Sequence, residues 1–283
     1  MPTGGGGVPK AIRDGKKIGC EAIQVFTSSP RQWGSKQPDP ELIADTQRAI
    51  RETGIDFIVS HDTYLVNLCA PDETTQKRSM STLISEMTRC SKLGIKFVVS
   101  HIGSLQGQGE RDAFIKLVGA MQIVLQETPD DVFLAMETTA GQGSSLGYKF
   151  EHWATVIEAH GGNPRLVVCM DTCHLFAAGY PVHERDGYEK TMEEFNRIIG
   201  FDRLRVIHAN DSKQPFGSRV DRHEHIGEGL IGEEPFKWFV NDARLTHAPM
   251  LLETNEPETM HEINLNRLKS YRTAGVPRAK VSK

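Results

Sequence analysis

Seven short runs of β-branched or apolar residues recur along the chain, at positions 22–27, 55–60, 96–100, 132–136, 166–170, 204–207 and 249–252. They are near-continuously apolar rather than alternating, the pattern of strands buried on both faces, as in a parallel sheet. Amphipathic segments lie between them. Asp39, Pro40 and Glu41 offer an N-cap, a proline at the first helical position and an acidic first turn ahead of Leu42, Ile43, Ala49 and Ile50. The stretch 72–93 carries Leu83, Ile84, Met87 and Leu93 at helical spacing and stops at Gly94. Helical stretches over 150–157 and 192–199 stop near Gly161-Gly162 and at Gly200, and a first helix begins near Val8. Strands alternating with helices mean βα units. No low-complexity linker divides them, so 1–283 reads as one (β/α) barrel domain. Such a barrel has eight strands. The eighth would precede the first helix, where residues 1–7 cannot supply a normal buried strand.

Polar residues fall where the apolar runs stop. His61, His101, Glu137, Asp171, His208 and Glu253 each follow a strand, with Asp62, His174, Asp221, His223 and His225 close by. Any one of these has an ordinary explanation, as a packed histidine, a helix cap or a surface charge. Six strands ending this way are harder to dismiss, because every strand of a parallel barrel ends at the same face. Carboxylates gathered there need cations to neutralise them. Imidazole mixed with carboxylate is a zinc-type ligand set, whereas calcium and magnesium prefer oxygen alone. Asp171 and His174 are three residues apart around the end of one strand. Asp221 and His223 lie on one side of an extended loop. With His225 read as a supporting residue, nine ligands at three or four per ion, one carboxylate shared, suit three zinc ions. Three Zn2+ against Glu137, Asp171, Asp221, Glu253 and one hydroxide leave the site near +1, which suits an anionic substrate such as phosphate.

Composition narrows the class. Charged residues make up 25% and hydrophobic ones 38%, which excludes general disorder, and no apolar run approaches the ~18 residues that span a bilayer. The N-terminus reads as no secretory signal, and five cysteines suit a reducing, intracellular setting, the cytoplasm, or the nucleus or an organelle in a eukaryote. Cys169 and Cys173 read as buried thiols, and His152, His160, His183, His247 and His261 as packing or surface residues. A net charge of −4 argues against gripping nucleic acid by bulk positive charge, but not against doing so through metal ions or a local basic patch.

Four stretches then carry a resemblance: 61–68 (HDTYLVNL), 137–143 (ETTAGQG), 171–180 (DTCHLFAAGY), and 208–211 (HAND) followed by 217–223 (GSRVDRH). In this order, and from about Gly7 to the C-terminal helix, they resemble the endonuclease IV family of apurinic/apyrimidinic endonucleases. The resemblance implies a TIM barrel with a trinuclear zinc site that incises double-stranded DNA 5′ to an abasic site, leaving a 3′-hydroxyl and a 5′-deoxyribose phosphate. It places His61, His101 and Glu137 on one zinc. Glu137 bridges to a second, completed by Asp171, His208 and Glu253, and His174, Asp221 and His223 hold the third. Glu137 and Glu253 are the catalytic carboxylates, and the ions make hydroxide available near neutral pH and stabilise the attacking and leaving oxygens. Arg31, Tyr64 and Leu65 enter the base stack beside a flipped-out nucleotide. Lys213, Arg219 and Arg222 are candidate phosphate contacts. The resemblance suggests a monomer.

The sequence departs from the family in one respect. The family's first strand, with its Gly-x-His-x-Ser motif, is missing before Gly6-Gly7. This implies a start downstream of the natural one, a truncation or a rearrangement, and with it an open sheet edge, poorer folding and weaker zinc binding. A sugar isomerase or epimerase on a similar barrel is the rival reading. It uses fewer ligands around one or two ions, which leaves the Asp221–His223 pair unexplained. An inactive lesion-binding form is the other alternative.

Overall fold

The computed structural model describes residues 1–3, 6–34 and 36–273. The chain forms two compact units, Met1–Met136 with Val156–Val167, and Glu137–Thr155 with the chain from Val168 on. In chain order the first unit holds α1 (Gly7–Lys17), β1 (Ile23–Val25), α2 (Pro40–Thr53), β2 (Ile58–His61), α3 (Glu73–Leu93), β3 (Phe97–Ser100), α4 (Glu110–Glu127) and β4 (Phe133–Glu137), whose last residue opens the second unit. The chain passes through α5 (Phe150–Ala159) and β5 (Leu166–Asp171). It goes on through α6 (Thr172–Ala178), α7 (Arg185–Ile198), β6 (Leu204–His208), β7 (Asp211–Ser212), β8 (His223–Glu224), α8 (Glu233–Asn241), β9 (Met250–Leu251) and α9 (Pro257–Ser270). The pairs β1–β2, β2–β3 and β3–β4 of the first unit are parallel, as are β5–β6 and β6–β9 of the second. All seven expected strands are present, and nearly every residue in them is buried.

Local signals account for the helix ends. The Asp39 carboxylate accepts from the Leu42 N–H at 2.8 Å, and α2 stops at Gly54 with φ +72°. Asp72 accepts from Thr75 N at 2.7 Å, and α3 stops at Gly94. Several helices differ from expectation, α6 and α8 among them, neither of which the sequence pattern announced. α7 begins at Arg185 rather than Met192, because buried Gly187, Tyr188 and Thr191 extend its apolar stripe toward the N-terminus. α4 was not anticipated, although Ala113, Leu117, Ala120, Met121 and Val124 bury one face at helical spacing.

Each unit has its own core. In the first, Phe57, Phe97 and Phe133 lie in a row where β2, β3 and β4 begin, with successive ring centroids 5.1 and 5.4 Å apart. Buried Arg165 pins the chain beside it, donating to Val132 O, Leu125 O and Thr128 Oγ1. In the second, Phe150 stacks on Tyr180 and meets Phe195 edge-on, while Trp153 is fully buried.

Among the described residues no strand precedes α1. Gly4 and Gly5, within the stretch expected to be a strand remnant, lie outside them. Met1–Thr3 nevertheless run beside β1: the Met1 nitrogen donates to Gln24 O at 2.5 Å and Thr3 Oγ1 to Phe26 O at 3.2 Å. These bonds partly cover the edge of β1 that the sequence alone leaves open. Among the described residues, no helix is long and apolar enough to cross a membrane.

Candidate metal centre

The parallel strands place the candidate residues at their C-terminal ends. His61, Glu137, Asp171 and His208 are the last residues of β2, β4, β5 and β6, rather than lying just beyond them. His101 follows β3, and Glu253 comes two residues after β9. In the first unit, His61 and His101 face each other with ring centroids 5.5 Å apart. The His61 Nδ1–H reaches the Asp62 carbonyl at 2.9 Å, which fixes the orientation of the ring. Ser100 Oγ donates to the Asp62 carboxylate at 2.6 Å, and burial pushes that carboxyl up to about 7.

The second unit gathers the other seven. Asp171 and His208 are register partners across β5 and β6. One ligand atom from each of Glu137, Asp171, His208 and Glu253 lies within 4.8 Å of the others. His208 Nδ1 sits among the acids, 2.9 Å from Glu137 Oε1, 3.2 Å from Glu253 Oε2 and 3.8 Å from Asp171 Oδ2. Glu137, Asp171 and His208 are fully buried. Burial opposes a charge on His208, yet Cys169, Glu253 and Glu137 together outweigh it and hold its pKa well above the ordinary value. The same holds for His174, where burial is overcome by Asp171, Asp221 and Glu137. A nest of acids that keeps imidazoles protonated is a strong attractor for divalent cations, which take the protons' place.

A further group adjoins this one. The Asp171 carboxylate caps α6 by accepting from His174 N at 2.8 Å, so a single helical turn carries the His174 ring inward. His174 Nδ1 faces Thr138 O at 2.7 Å, and Nε2 faces Asp221 Oδ2 at 3.1 Å. His223 Nε2 lies 3.2 Å from Asp221 Oδ1 and 3.7 Å from Asp171 Oδ2. It is buried and makes no hydrogen bond, as expected of a donor kept for a metal ion. Imidazole nitrogens and carboxylate oxygens in such groups fit zinc. Asp221 lies on a loop, as expected, whereas His223 opens a short strand. β7 and β8 pair antiparallel with Ser212 opposite His223, and that ladder fixes where the ring sits.

Several supporting residues were not foreseen as such. Buried Asn210 donates through Nδ2 to Asp171 Oδ2 at 2.7 Å and accepts Glu253 N–H at 2.8 Å, so one amide orients two candidate ligands. The buried Asp211 carboxylate accepts the N–H groups of Ser212, Gly227, Gly229 and Ile231, at 2.7 to 3.1 Å, and so ties down the loop after β8. Burial pushes the thiols of Cys169 and Cys173 up to about 12, which keeps them protonated and poor ligands. His225 meets Asn264, with its Nδ1 3.1 Å from Asn264 Nδ2, and does not take the supporting place expected of it.

The candidate DNA contacts fall in two places. In the first unit Arg31 is exposed and Tyr64 is 62% exposed; Tyr64 N and Thr63 Oγ1 both donate to Pro30 O, which joins the two loops that carry Arg31, Tyr64 and Leu65. In the second, Lys213, Arg219 and Arg222 lie on the long loop around β7 and β8, and all three are exposed. Arg219 stacks on the Tyr148 ring, 4.3 Å from its centroid.

A barrel of parallel βα units with histidines and acids at the strand ends defines a class, and residues 12–271 match the model of the family described as xylose isomerase-like TIM barrel. The fold is that of a TIM barrel. D-tagatose 3-epimerase-like protein shares this fold at 16% identity, with a TM-score of 0.71 over 96% of this chain and 95% of that one. Within the class, the chain is 42% identical over 262 residues to the probable endonuclease 4 of Chloroflexus aggregans, covering 92% of both chains. It is 42% identical over 267 residues to the probable endonuclease 4 of Geobacter sulfurreducens, covering 93% of this chain and 90% of that one. The crystal structure of endonuclease IV from Thermus thermophilus superimposes with a TM-score of 0.85 at 31% identity, covering 96% of each chain. The chain belongs to the endonuclease IV family.

Proposed function

We propose that this chain is a zinc-dependent endonuclease of DNA base-excision repair. It hydrolyses the phosphodiester 5′ to an abasic site and leaves a 3′-hydroxyl and a 5′-deoxyribose phosphate. The observation that carries the reading is the cluster of buried Glu137, Asp171 and His208 with half-buried Glu253, beside His174, Asp221 and His223. In this reading His61, His101 and Glu137 hold one zinc, Glu137, Asp171, His208 and Glu253 a second, and His174, Asp221 and His223 a third. Bound zinc supplies Lewis acidity and water activation at neutral pH. The chain's own residues do the rest. Buried Glu137 and Asp171 place negative charge where water is excluded. Glu253, partly open to solvent, is the acid of that group within reach of an entering phosphate in this reading. Arg31, Tyr64 and Leu65 hold the bent duplex through the base stack, and Lys213, Arg219 and Arg222 contact its phosphates. The enzyme acts as a monomer in a reducing, intracellular compartment.

The test is a nicking assay on a duplex with one synthetic abasic site, run beside zinc counting. Glu253→Gln keeps the side chain's shape and removes its charge. We expect nicking to fall by at least the ~10–100-fold that losing even an outer partner of a metal site costs, with the thermal melt largely unchanged. A variant that nicks at the wild-type rate removes Glu253 from the reading. Nicking by chelator-stripped protein at the rate of loaded protein overturns zinc dependence.

A further inference from the structure

Asp221 is the one acid among the proposed ligands of the third zinc and the most exposed of the three, with its side chain 34% exposed, yet it must meet two imidazoles at once. What holds it comes from another part of the chain, the loop between β4 and α5. Gln142 Oε1 accepts the backbone N–H of Asp221 at 2.9 Å and Arg222 Nη1 at 3.3 Å. A second tie joins the same two loops, the Arg219 guanidinium on the Tyr148 ring. The Gln142 loop is itself held in an unusual shape, with Gly141, Gly143 and Ser144 all in the left-handed region at φ +79°, +59° and +76°. The glycines take this shape freely, but at Ser144 it is strained and persists only where the surroundings hold it. Tyr148 packs on Gly141, with its Cγ 3.0 Å from where a Cβ would stand at that position.

We infer that Gln142 is a positioning residue: its side-chain oxygen fixes the backbone of Asp221 and so sets the affinity of the zinc held by His174, Asp221 and His223. The inference rests on the proposed third zinc. An acceptor on the backbone of a ligand acts as outer-sphere partners do, whose loss costs ~10–100-fold in metal affinity. Because Gln142 is exposed, replacing it leaves the core alone.

The experiment compares Gln142→Met, which keeps length and bulk but has no comparable acceptor, with Gln142→Glu, which keeps one. Zinc per chain is measured by mass spectrometry on the purified full chain. The zinc is then titrated away with a chromophoric chelator. We expect wild type to hold three zincs, Gln142→Met to release one of them ~10–100-fold more readily, and Gln142→Glu to behave like wild type. If Gln142→Met holds all three as tightly as wild type, the inference fails while the third site stands. If Gln142→Glu loses zinc as Gln142→Met does, the acceptor is not the operative feature and the inference fails. If wild type never holds more than two, the third-site reading itself fails.

Discussion

At the scale of single residues, the second unit concentrates charge that it balances with protons until a cation arrives. His174 and His208 have pKa values raised above those of the unfolded chain, so the folded, metal-free protein binds more protons than the unfolded one. Their stabilising contribution is fully present below the ordinary value of ~6.5 and is lost as the pH climbs through the raised values. Metal-stripped protein should therefore melt at progressively lower temperature from neutral pH upward, whereas zinc-loaded protein should show a much flatter profile. Calorimetry with and without chelator checks this, and a stripped profile that rises across the same interval contradicts it. Asn210 offers a second test. Asn210→Ala removes a buried bond to each of two neighbours and should cost about 2–4 kcal/mol in urea denaturation while weakening zinc retention. The acids and histidines were legible in the sequence because parallel strands end on one face and charge there is conspicuous. Asn210 and Gln142 were not, because a neutral amide carries no such signal and its role appears only once its partners are placed.

At the scale of elements, the seven strands were readable from their continuous apolar runs, and α2 and α3 from their aspartate caps and terminal glycines. α6 was not, because seven residues are too short to display a helical period. Its helicity follows from the Asp171 cap, a tertiary fact as much as a local one. The β7–β8 ladder has two residues in each strand and left no alternation to detect. The loop between β4 and α5 depends on a glycine for a steric reason. Gly147 has φ +97°, and a Cβ there would stand 2.1 Å from the Trp153 ring. Gly147→Ala should lower stability by at least about 2 kcal/mol, combining backbone strain with overpacking. A melting temperature equal to wild type would show that α5 can shift to make room.

At the scale of the whole molecule, a chain with a net charge of −4 is proposed to bind a polyanion. Its grip then rests on a few cations, Arg31, Lys213, Arg219 and Arg222, together with whatever zinc contributes. At about −0.9 per phosphate contact, the three contacts proposed for Lys213, Arg219 and Arg222 should make log affinity for an abasic duplex fall against log salt with a slope near −3. Filter binding over a range of sodium chloride measures it, and a slope steeper than about −7 would signal a broad basic interface that these residues do not form. The barrel class was legible in the alternation of elements. The bonding of Met1–Thr3 along β1 was not, because three residues with no apolar pattern give no sign of where they will lie.

The carboxylate of Asp211 draws in amides from Gly227, Gly229 and Ile231, positions spread along one stretch of chain. Groups that share an anchor let go together. In deuterated buffer these three amides should exchange through one common opening and show the same protection, and Asp211→Asn should lower all three in step. Staggered rates would mean that the stretch frays residue by residue.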